Sequence, residues 1–390
     1  MKSKQLLYLL LGMALLWLLA STILRANLQI PIRLFSDDYD RFIYFQRGMW
    51  LVNNQVPYRD VISEYPQVPT FLFGLFHIPA LGESNPDVAY WKFSSIFSLS
   101  MFISLVATIE LLCKMLPGKN YRAYLLLLPA PLYFAFNRFD ILPAYLCLLS
   151  FAMVRDKKWS LAALFLGIGA FTKWYPALLL PAYLVYHYRI EGRINWRMIL
   201  VFAATCFIIT LPTLLYGGID ALLVPYRFHI ERGLETVSLP ALISNSIDLI
   251  TNGAIGQSYY IWAFLLLQVS TIPFVFFARI DKMEKLLNWC ILIICIFVLF
   301  SRIYSPQWLL WILPFYILVS DSKIDTAIII FYGITTYIAF PVTWDYYGGN
   351  SIQMLVLGII NIISLALVTL ATIYRLRNSQ SNPISQNGIA

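Results

Sequence analysis

Long apolar runs separated by short polar breaks set the pattern of this chain. Residues 5–24, QLLYLLLGMALLWLLASTIL, carry no charge and come close to the roughly 20 residues that a membrane-spanning helix needs. Lys2 and Lys4 precede them as in a secretory leader, but no small-x-small cleavage site follows, and the run outlasts a leader's apolar stretch of about 7–15 residues. An uncleaved first helix is expected. Further apolar runs at 89–113, 121–136, 140–154, 159–172, 174–188, 198–216, 259–278, 286–301, 303–319, 324–342 and 352–374 bring the expected total to about twelve spanning helices, some of them short or broken by proline. The predicted fold is an all-α polytopic membrane protein with a single transmembrane domain over 1–377. Three polar segments interrupt it: loop 25–88, loop 217–258, and the tail NSQSNPISQNGIA (378–390), which is expected to be disordered and cytoplasmic.

Composition agrees with this picture. The chain is 60% hydrophobic and 12% charged, with a mean hydropathy of +0.71, against about 25% charged residues in soluble domains. With the N-terminus placed inside, Lys2, Lys4, Lys114, Lys119, Arg122, Arg155, Lys157, Lys158, Arg189, Arg193, Arg197, Arg279, Lys282, Lys285, Lys323, Arg375 and Arg377 fall in short inner loops, as the positive-inside rule requires. Both termini are then cytoplasmic, and the two long loops share the outer side of the cell (cytoplasmic or inner) membrane. The net charge of +8 reports orientation, and no nucleic-acid partner is expected. Five cysteines with no CxxC spacing and three histidines without a cluster predict neither a disulfide framework nor a zinc site.

The first outer loop opens with FSDDYDRFIYFQRGMW, residues 35–50. At 3.6 residues per turn, Phe35, Tyr39, Phe42, Phe45, Met49 and Trp50 share one helix face, and Asp37, Asp40, Tyr44 and Arg47 the opposite one. The pattern predicts a helix lying in the membrane interface, capped by Ser36, Asp37 or Asp38. Asp40, Tyr44 and Arg47 form its polar row. Pro57, Pro66, Pro69 and Pro79 then break residues 53–82 into interfacial or re-entrant pieces. Asn137, Arg138 and Asp140, between two apolar runs, read as an ion-paired cluster tying helices together.

The order Asp40-x-x-x-Tyr44, Pro57-Tyr58-Arg59-Asp60, Glu64-Tyr65-Pro66 resembles the first outer loop of the C-type (GT-C) glycosyltransferases. It is most similar to family 87, the group resembling polyprenyl-phosphate-mannose-dependent mannosyltransferases. FTKWYPALLLP (171–181), RFHIERGLETVSLPAL (227–242) and SRIYSPQWLLWILP (301–314) extend the resemblance in order along the chain. Gln67 stands where the family's second proline would follow Pro66, and Asn54 where glycine is usual before Pro57.

The resemblance implies an inverting transfer of a sugar, mannose or another hexose, from a polyprenyl-phosphate donor to a lipid or glycan acceptor hydroxyl on the outer face. Such a reaction needs a carboxylate base and cations for the leaving phosphate. The base is assigned to Asp40, with Asp38 as the second choice. Lys173, Arg227, His229, Arg232 and Arg302 are the candidates for the phosphate, and Asp37, Tyr44, Glu64, Tyr65 and Gln307 for acceptor or loop support. No cofactor is required by this chemistry, although Asp38-x-Asp40 has oxygen ligands for a divalent cation. A transporter or flippase of a lipid-linked sugar is the alternative reading.

Overall fold

The computed structural model describes residues 36–251, 257–349 and 351–381, together with Tyr8, Gly12, Leu15 and Leu16. The expected first helix, the start of the first loop and the end of the tail lie outside the described residues. Helices make up the regular structure of the described residues, and no strand forms among them; a lone bridge pairs Pro57 with Val61.

Each apolar run from residue 89 onward is helical, but the runs differ in length. Four helices are long and apolar enough to cross a membrane: Pro86–Met115, Trp196–Glu231, Lys323–Tyr347 and Ile352–Asn378. A fifth span arises if Pro129–Asn137 and Ile141–Arg155, bent by 106° at their junction, count as one. The expectation of about twelve spans therefore has fewer full-length counterparts. Prolines and polar breaks split several runs, so that 121–136 becomes a 3-10 segment plus a nine-residue helix. The Trp196–Glu231 helix leaves Leu200, Phe207, Ile208, Leu215 and Ile219 exposed. An apolar surface of that extent has no stable place in water, and the chain is a membrane protein.

The two expected loops are largely helical. The first contains the helices Asp38–Gly48 and Gln67–Leu75 and the 3-10 turn Ile78–Ala80. The second contains the continuation of the Trp196–Glu231 helix and the helix Leu239–Thr251. At Gly218, φ +73 with ψ −174 interrupts the long helix, in a region that L side chains avoid. The segment beyond the break turns toward the first loop. Just before the break Arg59 Nη1 donates to Tyr216 O at 3.2 Å, and beyond it His229 meets Glu64 O.

The Asp38–Gly48 helix departs from its expected orientation. Asp37 caps it by accepting from Tyr39 N at 2.9 Å. Arg41, Tyr44 and Gly48 face the protein interior. Tyr44 stacks on Phe73 with ring centroids 4.8 Å apart and packs against Phe97 and Phe139. The expected aromatic face is divided: Tyr39 and Phe42 are exposed, whereas Phe45 packs on His77 and Phe93 and Trp50 donates to Thr70 O. No hydrogen-bonded row of Asp40, Tyr44 and Arg47 forms, because Asp40 and Arg47 have partners outside the helix. Tertiary charges outcompete the local i, i+4 spacing.

Candidate active site

One cavity of about 860 Å³ opens between the two long inter-run segments, within the range of roughly 300–1,000 Å³ usual for ligand sites. Several stretches of chain converge on it: the first-loop helix with Glu64–Pro66, the turn Lys173–Tyr175, the end of the Trp196–Glu231 helix, Leu265 and Gln268 of the helix Gln257–Val269, and the break at 301–308 with Phe297 and Trp311. Asp40, Tyr44, Glu64, Tyr65, Lys173, His229, Arg232, Arg302 and Gln307 line it, while Asp37, Asp38 and Arg227 do not.

The three aspartates, close in sequence, have different surroundings. Asp38 is half-exposed and pairs with Arg41 at 3.1 Å. Arg41 is buried, donating also to Asp37 O at 3.0 Å, to Ser98 Oγ at 3.3 Å and to Ser36. Asp37 caps its helix, receives Arg138, and through its backbone N–H donates to Asn137 Oδ1 at 2.8 Å. Asp40 faces the cavity, with Oδ2 at 2.6 Å from Arg138 Nε. Burial pushes the Asp40 carboxyl above its ordinary range, opposed chiefly by the Arg138 charge and reinforced by Asp37. Asp38 and Asp40 thus turn to different arginines, an arrangement ill suited to holding one cation between them. No group of three metal-ligating side chains forms among the described residues.

The Asn137, Arg138 and Asp140 cluster does tie elements together, with partners outside the cluster: Asn137 and Arg138 join the break between the Pro129–Asn137 and Ile141–Arg155 helices to the first loop, and Asp140 holds Trp311 and Lys173. Trp311 Nε1 donates to Asp140 Oδ1 at 2.8 Å, and Lys173 Nζ lies 3.5 Å from the same oxygen. Lys173 also sits over the Phe139 ring at 4.6 Å and the Trp311 ring at 5.8 Å, close enough for cation–π attraction. Trp311 in turn stacks on Tyr175 at 4.2 Å and on Trp308 at 4.6 Å, giving the cavity a flat aromatic wall. A signal for this group did exist in the sequence: charges between apolar runs are costly in a membrane and by default point to function.

The other candidate cations differ in how far their donors are already engaged. Arg302 donates to His229 O at 2.8 Å and to Ile230 O at 3.4 Å, closing carbonyls left open at a helix C-terminus. His229 Nε2 lies 3.1 Å from Glu64 O. A carbonyl can only accept, so Nε2 is the protonated nitrogen, and a neutral His229 has no second N–H to offer a phosphate. Arg227 pairs with Asp220 at 2.9 Å, both exposed. Lys173, Arg232 and Arg302 are the cations that line the cavity with donors to offer, Arg302 spending only two of its five N–H groups on the His229 and Ile230 carbonyls. Glu64 is held by Arg47 at 2.7 Å. Burial raises Tyr44 and Tyr65 well above the ordinary phenol range, so both stay neutral hydroxyls. Gln67, where the sequence departs from the family pattern, is buried with both polar amide atoms unpartnered.

Residues 65–306 match Glycosyltransferase family 87, more than half of the 390-residue chain. The chain belongs to glycosyltransferase family 87. A comparison with curated proteins gives no match. The matched region of this family 87 protein includes Tyr65, Lys173, Arg232 and Arg302 and ends just before Gln307, whereas Asp40, Tyr44 and Glu64 precede it. Both the matched region and the helix ahead of it contribute walls to the cavity. A lipid-linked-sugar transporter gains no support from the family or from the site.

Proposed function

We propose that this family 87 glycosyltransferase transfers a sugar, mannose or another hexose, from a polyprenyl phosphate to a hydroxyl of a lipid or glycan acceptor, with inversion, on the outer face of the cell membrane. The observation that carries this reading is the meeting of Asp40 with Lys173 and Arg232 around one cavity. The acceptor hydroxyl gives its proton to the Asp40 carboxylate, and its oxygen attacks the anomeric carbon. The bond from that carbon to the phosphate oxygen breaks, and the electron pair leaves with the phosphate. Lys173 and Arg232 stabilise the charge that gathers there, as fixed cations do in a water-poor site. The Trp308–Trp311–Tyr175 stack offers a face for the sugar, while Tyr44, Tyr65 and Gln307 supply neutral polar groups for orienting the acceptor. Asp40 takes precedence over Asp38 because it is the one of the two that lines the cavity.

The test is release of polyprenyl phosphate from polyprenyl-phosphate mannose by the purified full-length protein. Asp40→Asn is expected to lower turnover by about 10²–10⁴-fold, the contribution usual for general acid–base catalysis. Asp38→Asn should stay within about tenfold of wild type, since its carboxylate meets an arginine that Ser36 and Ser98 also hold. Full activity in Asp40→Asn sinks the base assignment.

A further inference from the structure

Arg138 is buried, at the 106° junction of two apolar helices. Burying a guanidinium is expensive unless carboxylates answer it, and two do, where one would neutralise it. Asp37 anchors the first-loop helix to the junction through its carboxylate to Arg138 and its N–H to Asn137, and Tyr44 packs on Phe139 of the same junction. The contact to Asp40 is therefore superfluous for docking. It is also different in kind, because Nε lies 2.6 Å from Asp40 Oδ2 yet makes no aligned hydrogen bond. The charge holds the carboxylate without engaging it directionally. Among the described residues nothing donates to Asp40 Oδ1, which leaves acceptor capacity for a ligand hydroxyl.

We propose that Arg138 is a positioning residue: placed by Asp37, its guanidinium keeps Asp40 an anion in the cavity wall. This rests on Asp40 being the base. Other charged and titratable groups face Asp40 from each neighbouring element: Lys173 from the turn before Tyr175, Asp140 from the junction, Tyr44 from its own helix and Tyr65 from the second stretch of the loop. Asp37, Asp40 and Asp140 together outnumber Arg138 and Lys173, so loss of Arg138 leaves Asp40 among like charges and burial, both of which favour its protonated form.

The test is an infrared titration of the purified full-length protein, following the C=O stretch of the protonated Asp40 carboxyl, identified by its loss in Asp40→Asn. An acid is a base only above its pKa. In Arg138→Met the midpoint should rise by about 1–3 pH units, the usual influence of an adjacent opposite charge. Arg138→Lys should lie between that variant and wild type. Asp37→Asn, which keeps a helix-capping side chain and removes a like charge, should move the midpoint down. Opposite shifts from two partners of one ion-paired group do not arise from a structural role. An unmoved midpoint in Arg138→Met overturns the proposal, as does an upward shift in Asp37→Asn. If Arg138→Met does not fold, Arg138→Lys decides: a midpoint unmoved from wild type there overturns the proposal. Polyprenyl-phosphate-mannose turnover in Asp40→Asn judges the base itself, so failure of that reading is told apart from failure of this one.

Discussion

Three aspartates within four positions, equivalent in any composition count, have three fates that depend on which arginine each meets. Arg41 belongs to the same helix, one turn on from Asp38, whereas Arg138 reaches Asp37 and Asp40 from a distant junction, so Asp38 and Asp40 part company. Lys173 and Arg227 show the same dependence among the cations. Lys173 is placed by a carboxylate and two rings at the cavity wall, while Arg227 pairs with Asp220 in the open. Lys173→Met should therefore lower sugar transfer by about 10²-fold, as removal of one fixed charge stabiliser does. Arg227→Met should stay within about fivefold, in keeping with the small worth of exposed ion pairs. Steady-state turnover of the two variants side by side checks both. An apolar methionine at Lys173 also leaves Asp140 without its cation, so thermal unfolding of the same samples separates lost chemistry from lost fold. Because Asp38 and Asp40 diverge, transfer is expected to continue unchanged in the presence of a divalent-cation chelator; abolished transfer, restored by added metal, would reverse that expectation.

Among the elements, the Asp38–Gly48 helix has the greatest bearing on the site, and two glycines let it dock. A Cβ on Gly48 would lie 2.3 Å from Phe73 O, and one on Gly74 2.3 Å from the Trp50 ring. Neither distance is tolerable, so the helices Asp38–Gly48 and Gln67–Leu75 approach this closely only without side chains there. Gly48→Ala should destabilise the protein by about 1–3 kcal/mol, the range for overpacked contacts, and lower its Tm. Activity should fall with it, since that helix carries Asp40. The helix itself is legible in the sequence through its cap and length, but its inward face is not. A helical wheel ranks hydrophobicity, whereas the interior here accepts Arg41 and Tyr44 because Ser36, Ser98 and Phe73 are waiting for them. The Gly218 break had no marker beyond a Gly-Gly pair, and it turns a presumed loop into a helix that closes the site.

Across the whole molecule, the site and a second set of ion pairs mark opposite ends. Arg375 and Asp325 pair near the start of the Lys323–Tyr347 helix, and Phe340 near its other end packs against Arg138. If the site faces outward, as proposed, a cysteine at exposed Asn53 should react with an impermeant maleimide added to intact cells. One at exposed Lys158 should react only after the membrane is opened. Labelling of both from one side would invalidate the topology.

By itself the sequence determined that the chain is helical and membrane-bound, because apolar content and run length depend only on local composition. Ordered motifs along the chain also carried the glycosyltransferase family. Which aspartate faces the cavity, and the part taken by Arg138 and Asp140, were decided by tertiary structure. Those outcomes depend on which distant charge arrives beside which carboxylate, and Asp37 with Arg138 or Asp140 with Trp311 are neighbours only after the chain has folded.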